Sequence, residues 1–321
     1  MIAAGTDFIV LTGFLGSGKT TLLRDYLALP EATDTAVIVN EAGEIGLDGA
    51  ILAEGGTLPV ALLGNGCVCC AAGSELTTTV MAMLAERERI GLPPPARIVL
   101  ETSGLAKPGP ILRSLTGLAP LRLRVGVVAT FDCTRGTALD GFEEAAAQWA
   151  GAQTLVLTKR DAVAAAALAD AKRAAAAMNP TAALIDDADR GAALRAAFSL
   201  HAPAAAGGAA LWAEAVGLHH PRISIVLVRL LAAVAWDDLA EWLDNLAGLC
   251  GERLLRIKGL VQIVGARQPL LVQSVGTMFS APRAFAGDDG EQSFLVIILR
   301  DFDPREIALI SPVLPLRWTV R

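Results

Sequence analysis

The chain has 321 residues, enough for two domains, and carries a formal net charge of −6 with its 27 basic residues scattered along its length. That balance excludes broad electrostatic binding to nucleic acid. The longest aliphatic stretch, 223–236, is interrupted by Arg229 and too short for a bilayer, so no membrane segment is expected. Residues 1–7 lack the basic and apolar regions of a secretory signal, so the cytoplasm is the expected compartment and the five cysteines are expected to be thiols.

Phe8-Ile9-Val10-Leu11 reads as a buried strand and 21–27 as the start of a helix. Between them stands Gly13-Phe14-Leu15-Gly16-Ser17-Gly18-Lys19-Thr20, the G-x-x-x-x-G-K-[ST] pattern of a P-loop. Its glycines let the backbone curl until successive N–H groups point at phosphate oxygens, and the following helix aims its positive end at the same place. Lys19 is placed to reach the β and γ phosphates, and the Thr20 hydroxyl to hold Mg²⁺.

A second buried strand is expected over 35–40. The acidic, glycine-bearing loop 41–48 that follows offers Glu41, Glu44 and Asp48 at a strand's carboxyl end, where ligands bind in parallel sheets. Glu41 is a candidate metal ligand there, and a solvated acidic loop is the competing reading. Next come Cys67, Cys69 and Cys70 in Gly64-Asn65-Gly66-Cys67-Val68-Cys69-Cys70. Three thiolates on one tight turn make a soft site suited to Zn²⁺, Cu(I) or a related ion. Core cysteines and a redox relay remain as alternatives.

Helical spacing over 73–89 ends before Pro93-Pro94-Pro95, and 97–100 is a third strand. It opens into Glu101-Thr102-Ser103-Gly104, an acid at a strand end with glycine three residues on. In P-loop NTPases this arrangement puts a carboxylate near Mg²⁺ and the glycine N–H near the γ-phosphate. Pro108 and Pro110 suit the first turn of a helix. Strands are expected at 125–131, ending at Asp132, and at 154–157. The latter runs into Thr158-Lys159-Arg160-Asp161, an [NTS]-K-x-D sequence in which an Asp accepts from both donors of guanine while the Lys stem packs along the base.

A helix over 162–178, a stop at Asn179-Pro180, a strand at 183–185 and a helix over 192–198 complete a domain at 1–200. A linker is expected over 201–220, with His219 and His220 read as solvated rather than as ligands. The remainder, 221–321, reads as a smaller α+β domain. It has strands at 223–230, 254–264, 270–275 and 294–299, and a helix over 237–250 with Trp242, Leu243, Leu246 and Leu249 on one side. Cys133 and Cys250 are expected in the core. The fold class is thus an α/β P-loop NTPase domain with a mostly parallel sheet, followed by the smaller α+β domain.

Taken together, GFLGSGKTTLL, VNEAGEIGLDG, GNGCVCC, ETSGLAKP and TKRD resemble the CobW-like GTP-binding proteins, a P-loop metallochaperone family, and the segment 253–259 resembles that family's C-terminal domain. The resemblance implies GTP hydrolysis, zinc or cobalt binding by Cys67, Cys69 and Cys70, and delivery of the metal to a client metalloprotein or a cobalamin-pathway enzyme. It assigns Lys19, Thr20 and Glu101 to catalysis, the last two through Mg²⁺. Nucleotide binding falls to Gly13, Gly16, Ser17, Gly18, Lys19, Thr20, Thr21, Gly104, Thr158, Lys159 and Asp161. The chain departs from the family pattern with Ala42 for an aromatic residue, Lys107 for an acid and Thr158 for Asn. A P-loop kinase acting on a small substrate also accounts for Lys19 and Thr20, but leaves the cysteines without a role. A non-catalytic zinc sensor that holds GTP is the third reading.

Overall fold

Short runs of aliphatic residues, buried throughout at 7–12, 35–39 and 154–158, build the first sheet. In the computed structural model its strands are β1 (Asp7–Thr12), β2 (Thr35–Val39), β3 (Val60–Leu62), β4 (Arg97–Glu101), β5 (Arg124–Asp132), β6 (Thr154–Thr158) and β7 (Ala183–Ile185). Their order is β3-β2-β4-β1-β5-β6-β7, and every neighbouring pair is parallel. The structure describes residues 5–39, 60–62, 73–139, 141–200, 222–285 and 293–320. The loop 41–48 with Glu41, the turn with Cys67, Cys69 and Cys70, and the linker histidines lie outside those residues.

The helices joining these strands are α1 (Lys19–Leu27), α2 (Gly73–Arg89), α3 (Pro108–Ser114), α4 (Glu143–Gly151), α5 (Ala165–Met178) and α6 (Arg190–Ala197). On one face of the sheet Leu22, Leu23 and Tyr26 of α1 pack with Leu194 and Phe198 over Ile9, with Tyr26 and Phe198 stacked 4.1 Å apart. Trp149 of α4 packs against Phe131 of β5 with ring centroids at 4.7 Å, and its indole N–H donates to the Thr130 carbonyl.

Several elements differ from the sequence expectation, and β3 had no counterpart in it. Residues 160–162 form a 3-10 turn, so the helix expected from 162 begins at Ala165. The helix expected from 192 begins at Arg190, because the Asp189 carboxylate caps it by accepting from the Ala192 N–H at 2.8 Å. Helix α4 had no counterpart in the sequence reading. Ala145 through Gly151 are all buried, which erases the polar stripe by which a helix is recognised.

The chain divides into two units, Met1–Lys172 with Ala182–Ala202 and Arg173–Thr181 with Pro203–Arg321. The second unit is built on an antiparallel sheet ordered β11-β10-β9-β13-β8-β14, with β12 paired to β10. Its strands are β8 (Ile223–Leu230), β9 (Leu254–Val261), β10 (Leu270–Val275), β11 (Met278–Phe279), β12 (Arg283–Ala284), β13 (Ser293–Arg300) and β14 (Leu316–Val320). Helix α7 (Trp236–Cys250) buries Leu239, Trp242, Leu243 and Leu246 against the sheet. Leu249, expected on that side, is 42% exposed, and Cys250 takes the buried position instead. Strand β9 expected to reach 264 ends at Val261. No helix among the described residues is long and apolar enough to cross a membrane.

Along β9, Ile257 faces the α7 core while Arg256 and Lys258 alternate to the other face. There Arg256 Nε donates to Thr181 Oγ1 at 2.9 Å and Lys258 Nζ to the Thr181 carbonyl at 3.0 Å. Burial, with the Arg256 charge added, pushes the Lys258 ammonium down to about 8. The unfolded chain keeps the ordinary lysine value of about 10.4. Between those values the unfolded state holds the extra proton, so stability should rise with pH across that window, by at most about 1.4 kcal/mol per pH unit. Lys258→Met is expected to flatten that rise in urea unfolding measured through the window, and an unchanged slope would remove Lys258 as its source.

Candidate functional site

Because all strands of the first sheet run the same way, the loops after β1, β4, β5 and β6 open on one edge. Strand β1 lies between β4 and β5, with Leu11 paired to Glu101 on one side and Val128 on the other. The P-loop therefore emerges between the loops that follow those two strands.

Gly13, Gly16 and Gly18 have φ of 144°, 68° and 91°, conformations that an L side chain rarely adopts. A Cβ on Gly13 would collide with the Thr130 hydroxyl. The Lys19 side chain is buried and folds back inside the loop, donating to the carbonyls of Gly13 at 2.9 Å and Phe14 at 3.4 Å. Ser17 turns its hydroxyl 2.6 Å from Thr130 Oγ1, so its side chain braces the loop. Thr21 is exposed on the first turn of α1.

On the β4 side, Thr20 Oγ1 donates to Glu101 Oε1 at 2.6 Å, and Glu101 is 4% exposed. Two hard oxygen donors thus meet beside the P-loop, which suits Mg²⁺, an ion that takes few protein ligands and keeps its waters. Among the described residues no group of three or more His, Cys, Asp or Glu gathers as a metal site. Gly104 lies against the P-loop backbone: a Cβ there would stand 2.7 Å from the Leu15 nitrogen and 2.8 Å from its Cα. The completely buried Gln148 of α4 fixes this loop, its Nε2 donating to the Gly104 and Ala106 carbonyls, each at 3.0 Å. Lys107 pairs with Glu143 at the start of α4, and Phe142 just before it touches Phe14 at 4.9 Å between centroids.

On the β5 and β6 side, the Thr158 hydroxyl donates to the Ser17 carbonyl at 2.8 Å and lies 3.2 Å from the Phe131 carbonyl. Thr158 therefore ties the loop after β6 to the P-loop through its hydroxyl. Lys159 sits in the left-handed region at φ 54°, with its Nζ 2.6 Å from Asp132 Oδ2. Asp161 is exposed in the 3-10 turn that follows. Arg135 reaches from the loop after β5 to donate to the Leu15 carbonyl at 2.9 Å. Burial alone would raise the Asp132 carboxyl, but hydrogen bonds from Lys159 and Thr134 outweigh it and hold the group below its ordinary value. Burial and the Asp132 charge push the neighbouring Cys133 thiol up to about 11, so it stays protonated at neutral pH.

Lys19, Thr20, Glu101 and Gly104 thus come together with the glycines of the loop, and Thr158 and Lys159 border it. Sequence reading missed Thr130, Asp132, Arg135 and Gln148. Two of these carried a signal: Thr130 is a hydroxyl within an otherwise apolar strand, and Gln148 is an amide in an alanine-rich segment.

Residues 7–186 match the family described as "CobW/HypB/UreG, nucleotide-binding domain", and 223–309 match "Cobalamin synthesis protein cobW C-terminal domain". The chain is 30% identical over 305 residues to the zinc chaperone YjiA of Escherichia coli, covering 90% of this chain and 92% of that one. It is also 30% identical over 354 residues to the zinc chaperone CobW of Pseudomonas aeruginosa, covering 93% and 88%. Its fold is similar to the crystal structure of the Zn(II)-bound YjiA GTPase from E. coli, with a TM-score of 0.66 at 23% identity over 96% of this chain and 98% of that one.

The contact between Gly104 and Leu15 can be tested directly. Gly104→Ala would overpack two backbones and is expected to weaken nucleoside triphosphate binding by about tenfold or more. Gly109→Ala, whose Cβ would meet only Arg113 Nη1 at 3.9 Å, is expected to change it little. Titration of both variants with a fluorescent nucleotide checks the difference, and equal affinities would show that the loop yields freely.

Proposed function

Since the chain belongs to the CobW/HypB/UreG family of P-loop proteins and carries the CobW C-terminal domain, we propose that it couples Mg²⁺-dependent GTP hydrolysis to binding and delivering a transition metal. The cargo is zinc, cobalt or a similar ion held by Cys67, Cys69 and Cys70, and the recipient is a client metalloprotein or a cobalamin-pathway enzyme. The observation that carries the reading is the meeting of Thr20 with Glu101 beside a P-loop whose lysine lies inside it. Relatives named zinc chaperones at 30% identity support the choice of cargo.

In this mechanism the backbone of the loop from Gly13 to Thr20 and the Lys19 ammonium hold the β and γ phosphates. Thr20 and Glu101 would hold Mg²⁺, which supplies positive charge to the phosphate oxygens as the transfer proceeds. Water attacks the γ-phosphorus, the bond to the β–γ bridging oxygen breaks, and GDP, inorganic phosphate and a proton result. Asp161 accepts from the ring N–H and the exocyclic amine of guanine, which adenine cannot offer.

The loop after Glu101 gives the reaction a route outward. Gly104 abuts Leu15 within the P-loop, so a γ-phosphate contact at its N–H would be felt along 101–106, where Gln148 holds two carbonyls. If nucleotide state and metal state are coupled, GTP and metal must change each other's affinity by one and the same factor.

Zinc titration of the Mg-GTP and Mg-GDP forms, read with a competing chromophoric chelator, is expected to give affinities differing by tenfold or more. Equal affinities would sink the coupling. Replacing Cys67, Cys69 and Cys70 by Ser is expected to abolish tight zinc binding and leave GDP affinity within about twofold, since hydroxyls are poor substitutes for thiolates at a soft ion.

A further inference from the structure

The carboxylate of Asp132 is 1% exposed, and both of its oxygens are engaged. One accepts from the Thr134 backbone N–H at 2.9 Å and the Thr134 hydroxyl at 2.6 Å. The other lies 2.6 Å from Lys159 Nζ and 3.8 Å from Arg135 Nε. The nearest cation is thus a residue of the [NTS]-K-x-D sequence. Its strand and that of Asp132 are paired residue against residue, Asp132 opposite Thr158, and the Cys133 N–H donates to the Thr158 carbonyl at 3.1 Å.

Lysine in the left-handed region is uncommon and costs free energy, so something must hold Lys159 at φ 54°. A long side chain also loses rotamer freedom when its ammonium is fixed. Asp132 does the fixing: a carboxylate removed from water needs a cation, and Thr134 orients it so that one oxygen faces Lys159. With the ammonium pinned at the end of β5, the four-carbon stem of Lys159 is fixed at both ends. A flat base resting on that stem then meets a surface already formed, and less freedom is lost on binding.

We propose that Asp132 is a positioning residue for guanine recognition, acting through Lys159 to hold the lysine stem where the base stacks. The proposal rests on the reading of Thr158–Asp161 as the guanine-binding sequence and adds to it a residue outside that sequence. In this role Asp132 acts on the base only by way of Lys159. Its effect belongs to the base, so binding of the phosphates alone should not depend on it.

The test uses the full chain with Mg²⁺ and compares Asp132→Asn, Lys159→Met and the double variant, with GDP and inorganic tripolyphosphate as ligands in isothermal titration. Asp132→Asn is expected to weaken GDP at least tenfold while tripolyphosphate affinity stays within twofold. The double variant is expected to be no weaker than Lys159→Met alone, because a residue that acts only through Lys159 has nothing left to act on. A change below twofold with GDP, a parallel loss with tripolyphosphate, or a double variant showing the full product of the two losses would each overturn the proposal. Should Asp132→Asn fail to fold, Thr134→Val loosens the carboxylate without neutralising it. A threefold or greater loss of GDP affinity in that variant supports the assignment, and unchanged affinity overturns it. Asp161→Asn separates this inference from the reading beneath it. If guanine is still preferred over adenine in that variant, the guanine-binding sequence itself has been misread. If the preference is lost while Asp132→Asn is silent, the role of Asp132 alone falls.

Discussion

A P-loop that reserves its N–H groups for phosphate leaves its carbonyls to find donors elsewhere. Here the donors come from four places. Lys19 supplies Gly13 and Phe14 from within the loop, Arg135 supplies Leu15, Thr158 supplies Ser17, and Thr130 lies 3.4 Å from the Thr12 carbonyl. The loop's shape is therefore held by neighbours on β5 and β6 as much as by its own glycines. A phosphate-binding cradle fixed before its ligand arrives loses little freedom when the ligand binds.

The strand order distributes the work around that cradle. With β1 between β4 and β5, the β4 loop meets one side of the P-loop through Glu101 and Gly104, and the β5 and β6 loops meet the other through Arg135 and Thr158. The first side holds the oxygen donors and the backbone contact suited to a γ-phosphate. The second holds the residues suited to a base. Lys107 fits this division, since it pairs with Glu143 of α4, the helix that also carries Gln148.

What the sequence made legible follows from how local each signal is. The P-loop, the Glu101–Gly104 turn and the Thr158–Asp161 sequence are runs of a few residues in which identity and spacing carry the chemistry. Most of the parallel strands were legible because buried strand residues stay aliphatic, whereas β3, only three residues long, was not. Thr130, Asp132, Arg135 and Gln148 were not, because each acts on a partner far along the chain; Gln148 is 44 residues from Gly104 and Arg135 is 120 from Leu15. Leu249 was misplaced because the helix turns Cys250 inward at its last position, a choice set by the packing of the sheet beneath it. The departure at Thr158 reads differently in three dimensions, where a hydroxyl suffices to reach the Ser17 carbonyl.

The bond between Thr158 and Ser17 also has a consequence for how the protein is made. It joins residues 141 positions apart, with the P-loop near the start of the chain. During synthesis at about 5–20 residues per second, the P-loop leaves the ribosome roughly 7–30 seconds before its last brace. Until then the Ser17 carbonyl lacks its donor, although β5 and Arg135 have already been made. The nascent chain should acquire full nucleotide affinity only once about half of it has emerged, although the motif that defines the site is among the first residues to appear.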